Sequence, residues 1–267
     1  MKKVIKPKRV LVISDLHCGH RAGLTPPSWQ YKPNDGDLDR TKFAEIQQAV
    51  WKFYTDTIDA LKPIDYLFVL GDGIDGKGLR SGGTEQLEAD RLKQCDIATD
   101  CINYVGAKNI VMVHGTPYHA GTEEDFEGII AKNVDAKKIG SHEWVDVNGV
   151  IFDLKHFVSG SVIPHGRFTG IARDRLWNLI WAERNGQPKS DILIRGHVHY
   201  FGYCGDGGIL NVTMPALQGW GSKYGSRLCT GTVDIGLVHF DITDHDNWSW
   251  RPYIMRTELQ TVEVLKF

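Results

Sequence analysis

The chain has no Cys-x-x-Cys pair, and its five cysteines (Cys18, Cys95, Cys101, Cys204 and Cys229) are odd in number and widely spaced. That argues against a disulfide framework and for reduced thiols, as in a cytosolic protein. No apolar run approaches the ~20 residues that span a bilayer. The run Val10–Ile13 is too short for a signal-peptide core and stops at Ser14-Asp15. These absences predict a cytoplasmic protein with no membrane partner. Neither sign of charge dominates: 31 Lys and Arg stand against 33 Asp and Glu, a formal net charge of −2. No global basic field therefore draws the chain to nucleic acid. Lys2, Lys3, Lys6, Lys8 and Arg9 crowd the N-terminus and read as a solvated tail. With no linker, repeat or low-complexity tract, the 267 residues predict one large α/β domain over 1–267.

What the chain does contain is a set of short apolar runs that each end in Asp or His. Ile192-Leu193-Ile194 leads into Gly196-His197-Val198-His199, where a buried strand would turn at glycine and send two imidazoles into one small volume. Two loop histidines beside a glycine are, by themselves, ordinary surface residues. Three further runs change that reading. Val10–Ile13 precedes Asp15 and His17; Tyr66–Leu70 precedes Gly71-Asp72-Gly73-Ile74-Asp75; Ile110–Val113 precedes His114-Gly115-Thr116-Pro117-Tyr118-His119. If the backbone stays extended past the first strand, Asp15 and His17 point the same way, because the side-chain period is two. In open α/β sheets, ligands collect beyond the carboxyl ends of the strands. Oxygen and imidazole donors without thiolate suit manganese, iron, zinc or nickel.

With this ordered set, the chain resembles the calcineurin-like metallophosphoesterase family over residues 10–199, with further strands extending the likeness toward residue 241. The resemblance implies two mixed β-sheets packed face to face as a sandwich and flanked by helices. It also implies two divalent ions, manganese first. Carried over by position, Asp15, His17, Asp72 and His199 hold one ion, and Asp72 (bridging), Thr116, His156 and His197 hold the other. His156 ends a further apolar run, Val150–Leu154. The chain departs from the family at the third motif, where Gly-Asn-His becomes Gly115-Thr116-Pro117-Tyr118-His119, a loop similar to that of phage-borne members. Thr116 then offers a hydroxyl in place of an amide carbonyl, and the catalytic histidine becomes His119, displaced by two residues.

The implied function is a metal-dependent phosphoesterase acting on phosphodiester, including nucleic-acid, bonds through a metal-activated hydroxide. His119 would protonate the leaving oxygen or bind the phosphoryl group. The alternatives are a phosphomonoesterase on a nucleotide or phosphoprotein, and a non-catalytic scaffold that keeps the fold. Thr116 alone favours the scaffold. Asp75 and His20 are candidates for orienting the ligands, and Arg167 could meet a substrate phosphate or serve the surface. His114 reads as structural; His142, His239 and His245 read as bystanders. Nothing in the sequence sets the oligomeric state.

The remaining pattern is coarser. Residues 18–40 have turn chemistry and predict a long loop overhanging the site; loops 73–86 and 215–231 would carry specificity. Helices are predicted at about 39–61, 87–105, from an N-cap at Thr122 to about 134, and 169–184. Asn148-Gly149 between two apolar runs predicts a type I′ hairpin. Late strands are expected at 209–217, 232–241 and 249–255. Trp29 and Trp220 belong in packing, or stack on a base.

Overall fold

The computed structural model describes residues 6–33, 36–222, 233–256 and 266. Cys229, Lys2, Lys3 and the whole 223–231 stretch of the third specificity loop lie outside the described residues.

Four parallel strands, β1 (Lys8–Ile13), β2 (Tyr66–Val69), β3 (Asn109–Val113) and β4 (Lys138–Gly140), form one side of a six-stranded sheet. Antiparallel β10 (Ile235–Asp244) pairs with β1 and is followed by β11 (Asn247–Met255) at the edge. The second sheet has five strands in the order β5 (Glu143–Val147), β6 (Val150–Lys155), β7 (Ile192–Arg195), β9 (Ile209–Thr213), β8 (Gly202–Asp206). Its three central strands are parallel and its two edges antiparallel.

Period-two alternation explains the layers. Val10 and Val12 face the second sheet, where they meet Phe152, Ile194 and Val212. Leu11 and Ile13 face the opposite way, into a core built with α1 (Leu38–Leu61) and α2 (Arg91–Val105). Both faces of β1 are thus buried, as its uninterrupted apolar run requires. At roughly 1.5–3 kcal/mol per buried large aliphatic or aromatic side chain, these two cores dominate the favourable side of folding. Helix α4 (Phe126–Asn133) adds Phe126 and Ile130 to the first core. Helix α5 (Thr169–Glu183) covers the outer face of the second sheet through Ile171 against Leu193.

Several boundaries differ from the sequence pattern. Helix α2 begins at Arg91, because the Asp90 side chain accepts from the Leu92 N–H. Asp125, not Thr122, caps α4, accepting from Gly128 N. The run 209–217 pairs as a strand only to Thr213; Met214–Leu217 then turns toward the site, with Leu217 N donating to Ser14 O at 3.1 Å. Strands β4 and β8 went unpredicted, being short or glycine-bearing edges. The hairpin is present, with Asn148 at φ 52° and Gly149 at φ 89°, as a type I′ turn demands. Residues 18–25 do not overhang as a free loop. Cys18, Ala22 and Leu24 are fully or almost fully buried in the core beneath α1, because apolar side chains outweigh the local turn chemistry. Trp220 is buried in that core and Trp29 packs on it, so neither is a stacking surface. The described cysteines are free. No helix among the described residues is long and apolar enough to cross a membrane.

Candidate metal centre

The carboxyl ends of β1, β2, β3, β6 and β7 meet at one edge of the sandwich. Beyond the strands, β1 and β2 remain tied: Asp15 N donates to Gly71 O at 3.1 Å, and His17 N donates to Asp72 O at 3.0 Å. This ladder holds Asp15, His17 and Asp72 side by side. From the second sheet, Gly196 N donates to His156 O at 2.9 Å, and His197 N donates to Asp15 Oδ2 at 3.1 Å.

The backbone here is left-handed. Eight non-glycine residues among those described have φ between 46° and 73°, and five of them are Asp15, His17, Asp72, His197 and His199. Such conformations cost of order 1–3 kcal/mol each and persist where the surroundings over-determine them. Asp15 and His17 therefore share a direction through two left-handed turns, not through extended backbone. Gly196 is likewise not the turning residue, since His197 and His199 take the positive φ. Glycine is required at 196 because a Cβ there would collide with Ser14 Oγ. A Cβ at Gly115 would collide in the same way with the Asp72 backbone and carboxylate.

Two groups of donors result. Asp15, His17 and His199 bring one ligand atom each within 4.8 Å of one another, and so do Asp72, His156 and His197; a third set, His17, Asp75 and His119, overlaps the first through His17. In the first, His199 Nε2 lies 3.2 Å from Asp15 Oδ1 and 3.1 Å from His17 Nε2. In the second, His156 Nε2 lies 3.1 Å from Asp72 Oδ2. Asp15, His17, Asp72 and His156 are all within 3% of full burial. Yet Asp15 Oδ1 and His156 Nε2 make no hydrogen bond, while His17 turns Nε2 to the group and its Nδ1, also without a hydrogen bond, toward Asp75. Buried polar atoms are ordinarily paired, so this convergence of unsatisfied oxygen and nitrogen atoms fits a cation.

Thr116 sits against Asp72: its N–H donates to Oδ1 at 2.7 Å, and its hydroxyl lies 3.1 Å from Oδ1 and 3.3 Å from Oδ2. A one-turn helix, α3 (Pro117–Ala120), brings His119 back to the site. Its ring packs edge-on to His17 with centroids 4.5 Å apart, and Nδ1 donates to Asp75 O at 2.7 Å. Asp75 Oδ1 lies 3.7 Å from His17 Nδ1 and 3.9 Å from His119 Nδ1, a place from which it orients both rings. His20 turns away: it accepts from Ala22 N and lies 3.8 Å from Glu85 Oε2. Arg167 stacks over Tyr200 at 4.6 Å, and His114 faces Asp125 at 3.3 Å.

Charge follows from burial. Burial would push the Asp72 carboxyl up, but His156 beside it overrides this and holds it well below the usual range. Burial also works against the His156 cation, and Asp72 overrides it, raising the imidazole. Burial and the neighbouring His119 lower His17 to about 4. The residue that sequence reasoning missed is Glu127, fully buried on α4. It accepts from Gly73 N at 3.0 Å through Oε1 and from Gly115 N through Oε2. One carboxylate thus ties the Asp72 loop to the Thr116 loop. Burial and the Asp72 charge push it up to about 7. The signal was slight: an acidic residue two positions past the cluster Glu123–Asp125, on a helix with an otherwise apolar inner face.

No protein-family model and no curated protein matches this chain. Among solved structures it is similar to Vps29 from Entamoeba histolytica complexed with zinc (16% identity, 92% of this chain and 98% of that one, TM-score 0.43). It is also similar to an archaeal phosphodiesterase (12% identity, 92% and 99%, TM-score 0.46). A purple acid phosphatase from yellow lupin seeds aligns with 93% of this chain over 52% of its own length, at 13% identity and a TM-score of 0.51. At such identities the likeness is one of fold, and the chain has the metallophosphoesterase fold of two mixed β-sheets between flanking helices.

Proposed function

We propose that this protein is a metal-dependent phosphoesterase that hydrolyses phosphodiester bonds, nucleic-acid phosphates included. The observation that carries the reading is the pair of buried atoms without a hydrogen bond, Asp15 Oδ1 and His156 Nε2, inside two compact His/Asp groups. Asp15, His17 and His199 would hold one divalent ion and Asp72, His156 and His197 a second, with Asp72 between them and manganese the first choice of metal. Bound there, such ions supply Lewis acidity toward a phosphoryl oxygen and a water of lowered pKa.

The chain's own residues supply the rest. Asp72 offers two carboxylate oxygens, and Thr116 donates to that carboxylate through its N–H, with its hydroxyl also within hydrogen-bond distance, so its orientation is fixed before substrate arrives. Asp75 holds the ring of His17. His119 donates Nδ1–H to a backbone carbonyl, leaving Nε2 to deliver a proton to the leaving oxygen. A ring oriented by that bond beside the cluster has the geometry a general acid needs.

The test is metal stoichiometry followed by turnover. Purified protein should take up close to two manganese ions per chain by calorimetry and hydrolyse a bis-aryl phosphate only when loaded. Full turnover after exhaustive chelation, or no metal uptake, would overturn the reading. A panel of phosphodiesters, phosphomonoesters and DNA then separates the substrate classes.

A further inference from the structure

The two flanks of the site differ in chemistry. On one, Asp75 presents a buried carboxylate beside His17, and His20 and Glu85 form a buried polar pair of their own. On the other, the segment after His156 presents apolar ones. His156 and Val158 are each 2% exposed, the latter locked against Ile171 and Leu193. Phe157, between them, points the opposite way and is 51% exposed. Its ring does not stand alone: it lies 4.9 Å from the His197 ring at a 42° tilt. His197 in turn packs edge-on to His156. The following chain stays alongside residues 197–200, ending where Tyr200 Oη donates to Arg167 O at 3.1 Å.

A large aromatic ring held half in water, with buried neighbours on both sides and its ring tilted against a candidate ligand, has forgone burial that nearby apolar residues could have given it. The geometry points to Phe157 as a stacking platform for the organic group of a phosphate ester whose phosphoryl group is held at the Asp72 centre, and to esters bearing a planar aromatic group, a nucleobase above all, as the substrate class. This rests on the phosphoesterase reading and deepens it. A nucleobase on a 5′-phosphate lies one sugar away from phosphorus, and Phe157 is the residue after one proposed ligand and in ring contact with another. Stacking is tolerant of base identity because every base has a π-face, so the platform selects for a ring without selecting among sequences.

The experiment pairs two substrates with methanol as the shared leaving group, thymidine 5′-(methyl phosphate) and a ring-free methyl ester, dimethyl phosphate, on the manganese-loaded full chain. Phe157→Ala should raise KM for the thymidine ester by roughly fivefold to tenfold, the lower range for base–aromatic stacking, with kcat and the turnover of dimethyl phosphate unchanged. Phe157→Trp should restore the KM. A binding readout stands beside turnover: calorimetric affinity for thymidine 5′-monophosphate should fall by about the same factor in Phe157→Ala, while affinity for inorganic phosphate holds. If the wild type turns over both esters and Phe157→Ala changes both equally or neither, the platform is wrong and the phosphoesterase reading stands. If the loaded wild type neither turns over an ester nor binds phosphate, both fall together.

Discussion

Two buried polar clusters flank the second sheet, and they treat their charges in opposite ways. Under α5, Arg175 is 7% exposed and donates to Asn211 Oδ1 at 2.6 Å, to the Ser190 carbonyl at 2.6 Å, and to the carbonyls of Asp191 and Leu210. Beside it, Arg195 reaches Asp174 at 2.9 Å and Asp153 at 2.6 Å. Of these side chains, Asp153 alone keeps an unpartnered buried oxygen, Oδ2. At the strand ends the pattern reverses: donors converge on each other, several atoms lack partners and the backbone is left-handed. The same chain evidently can satisfy buried charge from its own atoms. That it does so under α5 and not at the strand ends marks the second cluster as built for something the chain does not contain.

The comparison is broken most directly at Arg175. Arg175→Ala strands several buried acceptors, and it should lower stability by about 3 kcal/mol or more, read as a shift of the denaturant midpoint. Activity per folded molecule should hold. A loss of turnover in the folded fraction would mean the α5 cluster is not purely structural. Asp72→Asn should do the reverse. It should cost at least about 100-fold in turnover, since metal activation supplies several kcal/mol, while in excess chelator the variant still unfolds cooperatively, its melting temperature lowered only by the lost pairing with His156. Wild-type turnover by Asp72→Asn would deny the strand-end cluster its role.

Glu127 belongs to both patterns, since it is a carboxylate satisfied by backbone N–H groups yet placed at the candidate metal centre. Glu127→Gln keeps the shape but points an amide NH2 at one of two backbone donors, Gly73 N or Gly115 N. Manganese affinity measured by calorimetry should weaken by about tenfold, the lower range for residues that position ligands. Unchanged affinity would show that the two loops hold their places without it.

How much of this the sequence carries varies by kind of interaction. Strand ends that deliver Asp15, His17, Asp72, His156, His197 and His199 are legible, because apolar runs followed by Asp or His are local. The doubly buried sheet is legible for the same reason in Val10–Ile13. Left-handed φ at the candidate ligands is not, since no glycine or asparagine flags it; tertiary hydrogen bonds such as His17 N to Asp72 O impose it. The burial of residues 18–25 escapes a local reading, because Leu24 and Ala22 take their value from α1, whose nearest residues come later in the chain. Glu127 is invisible for a similar reason: its two partners are backbone N–H groups, 54 and 12 residues away.

The smallest expected effect lies in the acid range, at the paired cluster. Burial pushes the Asp153 carboxyl up, but His142 Nε2 at 2.8 Å and the Arg195 guanidinium override it and hold the group below its usual value. A carboxyl depressed in the folded state stabilises the fold fully above its unfolded value, about 3.9 for Asp. That contribution is lost as pH falls through the lower, folded value. In Asp153→Asn the acid limb of stability should therefore be shallower than in the wild type, although the variant is less stable at neutral pH. Denaturant midpoints followed from neutral pH down to about 3 give the two curves, and they should converge as the pH falls. Parallel curves would mean that Asp153 keeps its charge in the unfolded chain as readily as in the fold, and that the pairing with Arg195 only offsets what burial costs.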